Sequence, residues 1–243
     1  MPTSLSCKEV NQGIQVVDLE ELLDDGLAGG RSFNFEKKPG IFAIPLKSEV
    51  SLLRRCVSLL NDSEKQRANR FRHDGAKAQF ITGHAAIHVM LRSVLGEDYD
   101  NVEFGESEHR KPFVLFSDGT RPIEFNLSHC ADYIAIALGE KPVGIDVEKI
   151  RHLNDLRGIC GQVFTASEIE EVFAGSDEDA HLEKFFQFWT CKEAALKANG
   201  TGFMLDPKRL EVVHQTDSSD EALVYWTRKI EGHFLAWSAD LSL

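Results

Sequence analysis

Long apolar runs are missing from this chain: no stretch approaches the roughly 18 residues that cross a bilayer, so no membrane span is expected. Residues Met1 to Asn11 lack the basic-then-apolar order of a secretory signal, which makes the cytoplasm the expected compartment. Cysteine is scarce and unpatterned. Cys7, Cys56, Cys130, Cys160 and Cys191 form an odd set without CxxC spacing, which argues against a disulfide framework and a structural zinc site. Positive charge is short as well, and a net charge of -12 excludes the basic footprint of a general nucleic-acid binder. Internal repeats and low-complexity segments are not visible, and neither GxSxG nor HExxH occurs.

What is present is an ordinary globular composition. The 243 residues, 42% hydrophobic and 27% charged, suffice for one large domain or two small packed ones. Charge is unevenly spread. Ser51–Arg92 holds eight Lys/Arg against three acidic residues, either a solvated helix face or a surface that attracts a phosphorylated nucleotide or an acidic partner.

Residues 1–39 are polar and broken at Asp24–Gly30 and Lys37–Gly40, so a loosely held extension is expected there. Beyond it, Ile41–Ile44 reads as a strand and Val50–Leu60 as a helix. Asn61-Asp62-Ser63 supplies cap residues for a helix through Arg72. Ala76–Leu95 places Phe80, Ile87, Leu91 and Val94 on one helical stripe and ends at Gly96. His84 and His88 on that helix have metal-ligand spacing but no evident third ligand, and packing or surface roles are the simpler reading. Strands are expected at Val102–Phe104, Phe113–Phe116, Ile123–Phe125, Tyr133–Leu138 and Val143–Glu148. Helices follow near Ser167–Phe173 and Leu182–Ala198, then strands near Leu210–Val213, Ala222–Thr227 and His233–Leu241. Helices plus a small sheet in both halves make the class α+β.

Three segments carry candidate chemistry. In Val143-Gly144-Ile145-Asp146-Val147-Glu148, strand alternation sends Gly144, Asp146 and Glu148 to one face. Two carboxylates there either form a polar outer face or converge on a hard cation such as Mg²⁺. In the second segment Phe186, Trp189, Glu193 and Leu196 share a helical stripe, so Glu193 stands in an apolar line. A buried glutamate needs a cation, either Lys197 one turn on or a metal shared with Asp146 and Glu148. Third, Asn126-Leu127-Ser128-His129 reads as a turn before the Tyr133–Leu138 strand. Hairpin pairing of that strand with the Asp146 strand would bring Ser128 and His129 to the acidic cluster. Hydroxyl and imidazole there suit phosphate binding better than nucleophilic catalysis.

Taken in order, Phe125–His129, Gly144–Glu148 and Phe188-Trp189-Thr190-Cys191-Lys192-Glu193-Ala194-Ala195-Leu196-Lys197 resemble the Sfp-type 4′-phosphopantetheinyl transferases. Phe71-Arg72-His73, Gly83 and Lys111-Pro112 sit where that family's first-half motifs fall. The resemblance implies two similar α+β halves, residues 40–139 and 140–243, related by a pseudo-twofold axis with coenzyme A in the cleft between them. It assigns Mg²⁺ to Asp146, Glu148 and Glu193, and the nucleotide and its phosphates to Lys111, Pro112, Ser128, His129, Lys197 and Arg67. Glu193 would take the proton of a serine on an apo acyl or peptidyl carrier protein. Lys197 and His129 would stabilise the departing 3′,5′-ADP, and a monomer is implied. Two positions depart from the family pattern. Gln79 stands where an arginine commonly holds the 3′-phosphate, and Arg110 stands where a glycine commonly precedes Lys-Pro, making Arg110 a candidate for the missing cation. The rival expectations are a magnesium-dependent phosphohydrolase and a non-catalytic module that grips coenzyme A or a carrier protein.

Overall fold

The computed structural model describes residues 3–9, 14–27, 39–47, 49–108, 111–175, 177–200, 205–214 and 223–240. In chain order these form β1 (Thr3–Glu9), β2 (Ile14–Val16), α1 (Leu19–Leu27), β3 (Gly40–Pro45), α2 (Val50–Leu59), α3 (Asp62–Ala68) and α4 (Asp74–Leu95). There follow β4 (Glu103–Glu106), β5 (Pro112–Leu115), β6 (Glu124–His129), β7 (Tyr133–Gly139), β8 (Val143–Lys149), α5 (Leu156–Val163), α6 (Ala166–Val172) and α7 (Glu178–Asn199). The last three are β9 (Leu210–His214), β10 (Leu223–Ile230) and β11 (His233–Asp240). The class is α+β.

Two compact units divide the chain. The N-terminal unit is Gly13–Gly105 with Pro112–Glu140; the C-terminal unit is Lys141–Leu243 with Met1–Gln12 and Glu106–Lys111. In the first, a sheet ordered β2-β3-β7-β6 meets α1, α2 and α4 in a core that includes Leu22, Phe42, Cys56, Ile87 and Met90. In the second, a sheet ordered β8-β11-β10-β1-β9 meets α7, with Phe164, Phe186, Phe188, Ala194 and Ala236 in the core.

The same frame underlies both units. β3 pairs antiparallel with β7, Phe42 opposite Ile136, as β8 pairs with β11, Asp146 opposite Ala236. Next in order come β6, with Leu127 opposite Ile136, and β10, with Thr227 opposite Ala236. Each unit also has a 7-residue helix, α3 or α6, followed by a 22-residue helix, α4 or α7. Both short helices open with a capping box, Asn61 with Glu64 and Thr165 with Glu168, so two orphan N–H groups are satisfied at each start.

Two expectations are corrected. Residues 1–39 are not wholly a loose extension. Leu19, Leu22 and Leu23, spaced along one face of α1, are buried in the N-terminal core, and β1 lies between β10 and β9, parallel to both. The apolar pattern of α1 is under two turns long, too short to stand out in a polar segment. The expected hairpin between the strands at 133 and 143 does not form either. β7 is buried along its whole length with β3 on one edge and β6 on the other, so no edge remains for β8, which pairs with β11.

Candidate functional site: a carboxylate face between β8 and α7

Gly144, Asp146 and Glu148 project from one face of β8, and that face is covered by α7. A Cβ on Gly144 would lie 2.0 Å from the Ala194 carbonyl oxygen and 2.3 Å from the Ala198 nitrogen, so only glycine lets the helix backbone approach this closely. Strand and helix run in opposite senses, and the long Lys197 side chain reaches along the strand to Asp146. Gly144 meets Ala194 and Ala198, Asp146 meets Lys197, and Glu148 meets Trp189.

The carboxylates are held unequally. Lys197 Nζ donates to Asp146 Oδ1 at 2.7 Å, so the lysine expected beside Glu193 is paired across to the strand instead. Glu148 accepts from Trp189 Nε1 on one oxygen, at 3.4 Å, and from Arg151 Nη1 on the other, at 3.2 Å. Glu193 is 8% exposed, and its Oε1 is buried without a hydrogen bond. Burial, then the Asp146 charge, pushes the Glu193 carboxyl up to about 7; Lys197 opposes this and Glu148 adds to it. Glu148 is likewise raised, first by burial and then by Asp146, against Arg151 and Trp189. Thus the three carboxylates feel one another, although among the described residues no three His, Cys, Asp or Glu side chains stand in ligating geometry.

The N-terminal unit shows what this face looks like without charge. By strand register and helix spacing, Phe42, Ile44 and Val89 answer to Asp146, Glu148 and Glu193. All three are apolar and at most 2% exposed, within one core. A carboxylate is therefore not needed to build this frame.

The remaining predicted residues fall as follows. Lys111 Nζ donates to the carbonyls of Val143, at 3.1 Å, and Ala198, at 3.4 Å, tying the start of β8 to the end of α7. Pro112 opens β5. Arg110 lies outside the described residues. The Asn126–His129 segment is the end of strand β6, not a turn, with Ser128 buried and His129 exposed in the N-terminal unit. Arg67 lies over the Phe80 ring at 5.3 Å, and the Gln79 amide donates to the Cys130 carbonyl at 2.9 Å. His84 and His88 share a partner: Glu64 Oε1 bonds His84 Nδ1 and Oε2 bonds His88 Nε2, each at 2.7 Å. Burial favours the neutral Glu64, yet the hydrogen bonds from the two histidines prevail and hold its carboxyl down at about 2. Sequence reasoning passed over Arg151 and gave Trp189 and Lys192 no role. The three-residue spacing of Arg151 from Glu148 was its only signal, and it lies past the end of β8.

Comparison with known proteins bears on residues 45–240. The family model described as 4′-phosphopantetheinyl transferase superfamily matches residues 142–240, and that described as 4′-phosphopantetheinyl transferase, N-terminal, matches residues 45–141. The chain is 32% identical over 163 residues to the 4′-phosphopantetheinyl transferase HetI of Nostoc sp., covering 67% of this chain and 68% of that protein. It is 30% identical to the 4′-phosphopantetheinyl transferase gsp of Aneurinibacillus migulanus (63% and 65% covered). To the 4′-phosphopantetheinyl transferase Sfp of Bacillus subtilis it is 26% identical (66% and 68% covered).

Proposed function

The chain belongs to the 4′-phosphopantetheinyl transferase superfamily, and from that premise we propose that it moves the phosphopantetheine group of coenzyme A onto a serine hydroxyl of an apo acyl or peptidyl carrier protein. The serine oxygen attacks the pyrophosphate phosphorus that bears pantetheine. A phosphodiester to serine forms, the bond to the second phosphate breaks, and 3′,5′-ADP leaves with the bonding pair.

One observation carries this reading. Glu193 is a buried carboxylate with an oxygen that accepts no hydrogen bond, set beside two further carboxylates where the twin unit has Val89. Such a group suits two tasks. Raised to about 7, it can accept the serine proton near neutral pH. Its bare oxygen, with the hard oxygens of Asp146 and Glu148, also suits a divalent cation. Mg²⁺ held by Asp146, Glu148 and Glu193 would supply charge neutralisation on the pyrophosphate. Lys197, paired with Asp146, would stabilise the charge of the leaving group. Exposed His129, with Ser128, Arg67 and Pro112, is assigned to the nucleotide and its phosphates from the family resemblance, and Arg110, where the family commonly has glycine, is the candidate for the missing 3′-phosphate cation. Lys111, engaged on two carbonyls, would act there through its charge. The nucleophile comes from the carrier, so no residue of this chain need serve as one.

The cytoplasm is the proposed compartment, where the free thiols of Cys56, Cys160 and Cys191 would stay reduced. Among the described residues no helix is long and apolar enough to cross a membrane. Incubation with coenzyme A, Mg²⁺ and an apo-carrier tests the proposal by mass spectrometry. Transfer adds one phosphopantetheine group to the carrier. Release of 3′,5′-ADP without a carrier would instead identify a phosphohydrolase, and binding without either product would identify a gripping module.

A further inference from the structure

Away from the carboxylate face, the C-terminal unit buries one complete ion pair. Lys192, 0% exposed, bonds Glu168 Oε2 at 2.6 Å and the carbonyls of Val163 at 3.1 Å and Pro207 at 3.0 Å, so all three ammonium protons have acceptors. Glu168 is equally occupied. Thr165 N–H donates to its Oε2 at 2.8 Å and Val212 N–H to its Oε1 at 2.7 Å. The end of α5, the start of α6, the turn before β9, β9 itself and α7 therefore meet at one point.

An apolar pair of similar volume usually stabilises a fold at least as well as a buried ion pair, so stability alone is a weak reason for this one. The next residue along α7 is Glu193. Because Glu193 Oε1 accepts no hydrogen bond, the carboxylate takes its position from the α7 backbone. Consecutive helix residues lie about 100° and 1.5 Å apart, so an ammonium fixed by three acceptors at 192 sets the rotation and advance of the helix at 193. The twin unit sharpens the point. His88 answers to Lys192 and Glu64 to Glu168, joined by a single bond from His88 Nε2 to Glu64 Oε2, and there the next residue is Val89, which needs only to pack.

We infer that Lys192, clamped by Glu168, is a positioning residue for Glu193: it sets α7 so that this carboxylate meets Asp146 and Glu148. The inference rests on the proposed role of Glu193. Lys192→Met alone would leave Glu168 buried and unpaired, so the test is the neutral pair Lys192→Met/Glu168→Gln in the full chain. Melting temperature, kcat, KM for coenzyme A and Mn²⁺ affinity by calorimetry are read together. The expected result is a melting temperature near wild type, unchanged KM, kcat lower by roughly 10–100-fold and weaker Mn²⁺ binding, as a misplaced reacting group gives. A folded double variant with wild-type kcat and Mn²⁺ affinity overturns the inference. Should the pair not fold, Glu168→Asp alone decides. It keeps the charge opposite Lys192 but shortens its reach, and a smaller loss of kcat at constant KM supports the inference while wild-type kcat overturns it. A wild-type chain that neither transfers nor binds Mn²⁺ overturns the reading beneath the inference, and the inference with it.

Discussion

Where the C-terminal unit carries Asp146, Glu148 and Glu193, the N-terminal unit carries Phe42, Ile44 and Val89 at the same places in the same strand-and-helix frame. The apolar version packs as ordinary core. The acidic version buries a carboxyl oxygen without a hydrogen bond and lifts its proton affinity towards neutrality. One frame thus accepts either an apolar core or an acidic face at these three positions. Burial of an unsatisfied carboxylate is costly, so its place in one unit alone is a functional signature.

The largest expected difference between the units is catalytic. Asp146→Ala should lower transfer by about 10²–10³-fold, since it removes both the Lys197 partner and a proposed cation ligand. Phe42→Leu at the matching place should leave kcat intact and cost about 1 kcal/mol of stability. Equal kinetic losses from both would dissolve the contrast. Next is the closeness of helix to strand. Gly144→Ala places its Cβ on the α7 backbone and should cost about 3 kcal/mol in urea unfolding. Gly83→Ala on α4 meets side chains rather than backbone, Leu127 at 3.0 Å and Ile134 at 3.7 Å, and should stay within about 1 kcal/mol of wild type.

Acid acts on the N-terminal unit through Glu64, which His84 and His88 hold. Folded Glu64 titrates at about 2 against an ordinary 4.5, so its contribution is complete above pH 4.5 and is lost as pH falls towards 2. That difference corresponds to about 3 kcal/mol. Melting temperatures between pH 5 and 2 should therefore fall less steeply in Glu64→Gln, from a lower starting value; parallel curves would remove Glu64 from the acid response. The smallest effect belongs to Arg151. Its half-exposed pair with Glu148 is worth less than about 1 kcal/mol, so Arg151→Gln should change stability little. Kinetics should move only slightly, through a looser Glu148.

Much of the C-terminal site was legible in the sequence because it rests on local periods. The alternation around Asp146 and the stripe through Trp189 and Glu193 each need only a few residues, and β8 and α7 present those faces to one another. Long-range pairing was not legible. β1 joins residues 3–9 to strands more than 200 positions away, and β7 gives both edges to its own unit, which no local pattern announces. The repeat entered only through the family resemblance and is not visible in the sequence itself, because its equivalent positions differ in chemistry, Phe42 against Asp146 and Val89 against Glu193. Lys192 escaped for another reason: lysine in a helix is read as a surface residue, and only the fold shows that α5, α6 and the turn before β9 close around it.

The claim beneath all of this is that Glu193 does chemistry rather than packing, and Glu193→Gln tests it with almost no change of shape. Measured as single-turnover transfer from coenzyme A to an apo-carrier, the variant should keep the wild-type melting temperature and lose about 10²–10⁴-fold in rate. Transfer at the wild-type rate from a folded Glu193→Gln chain would contradict the account.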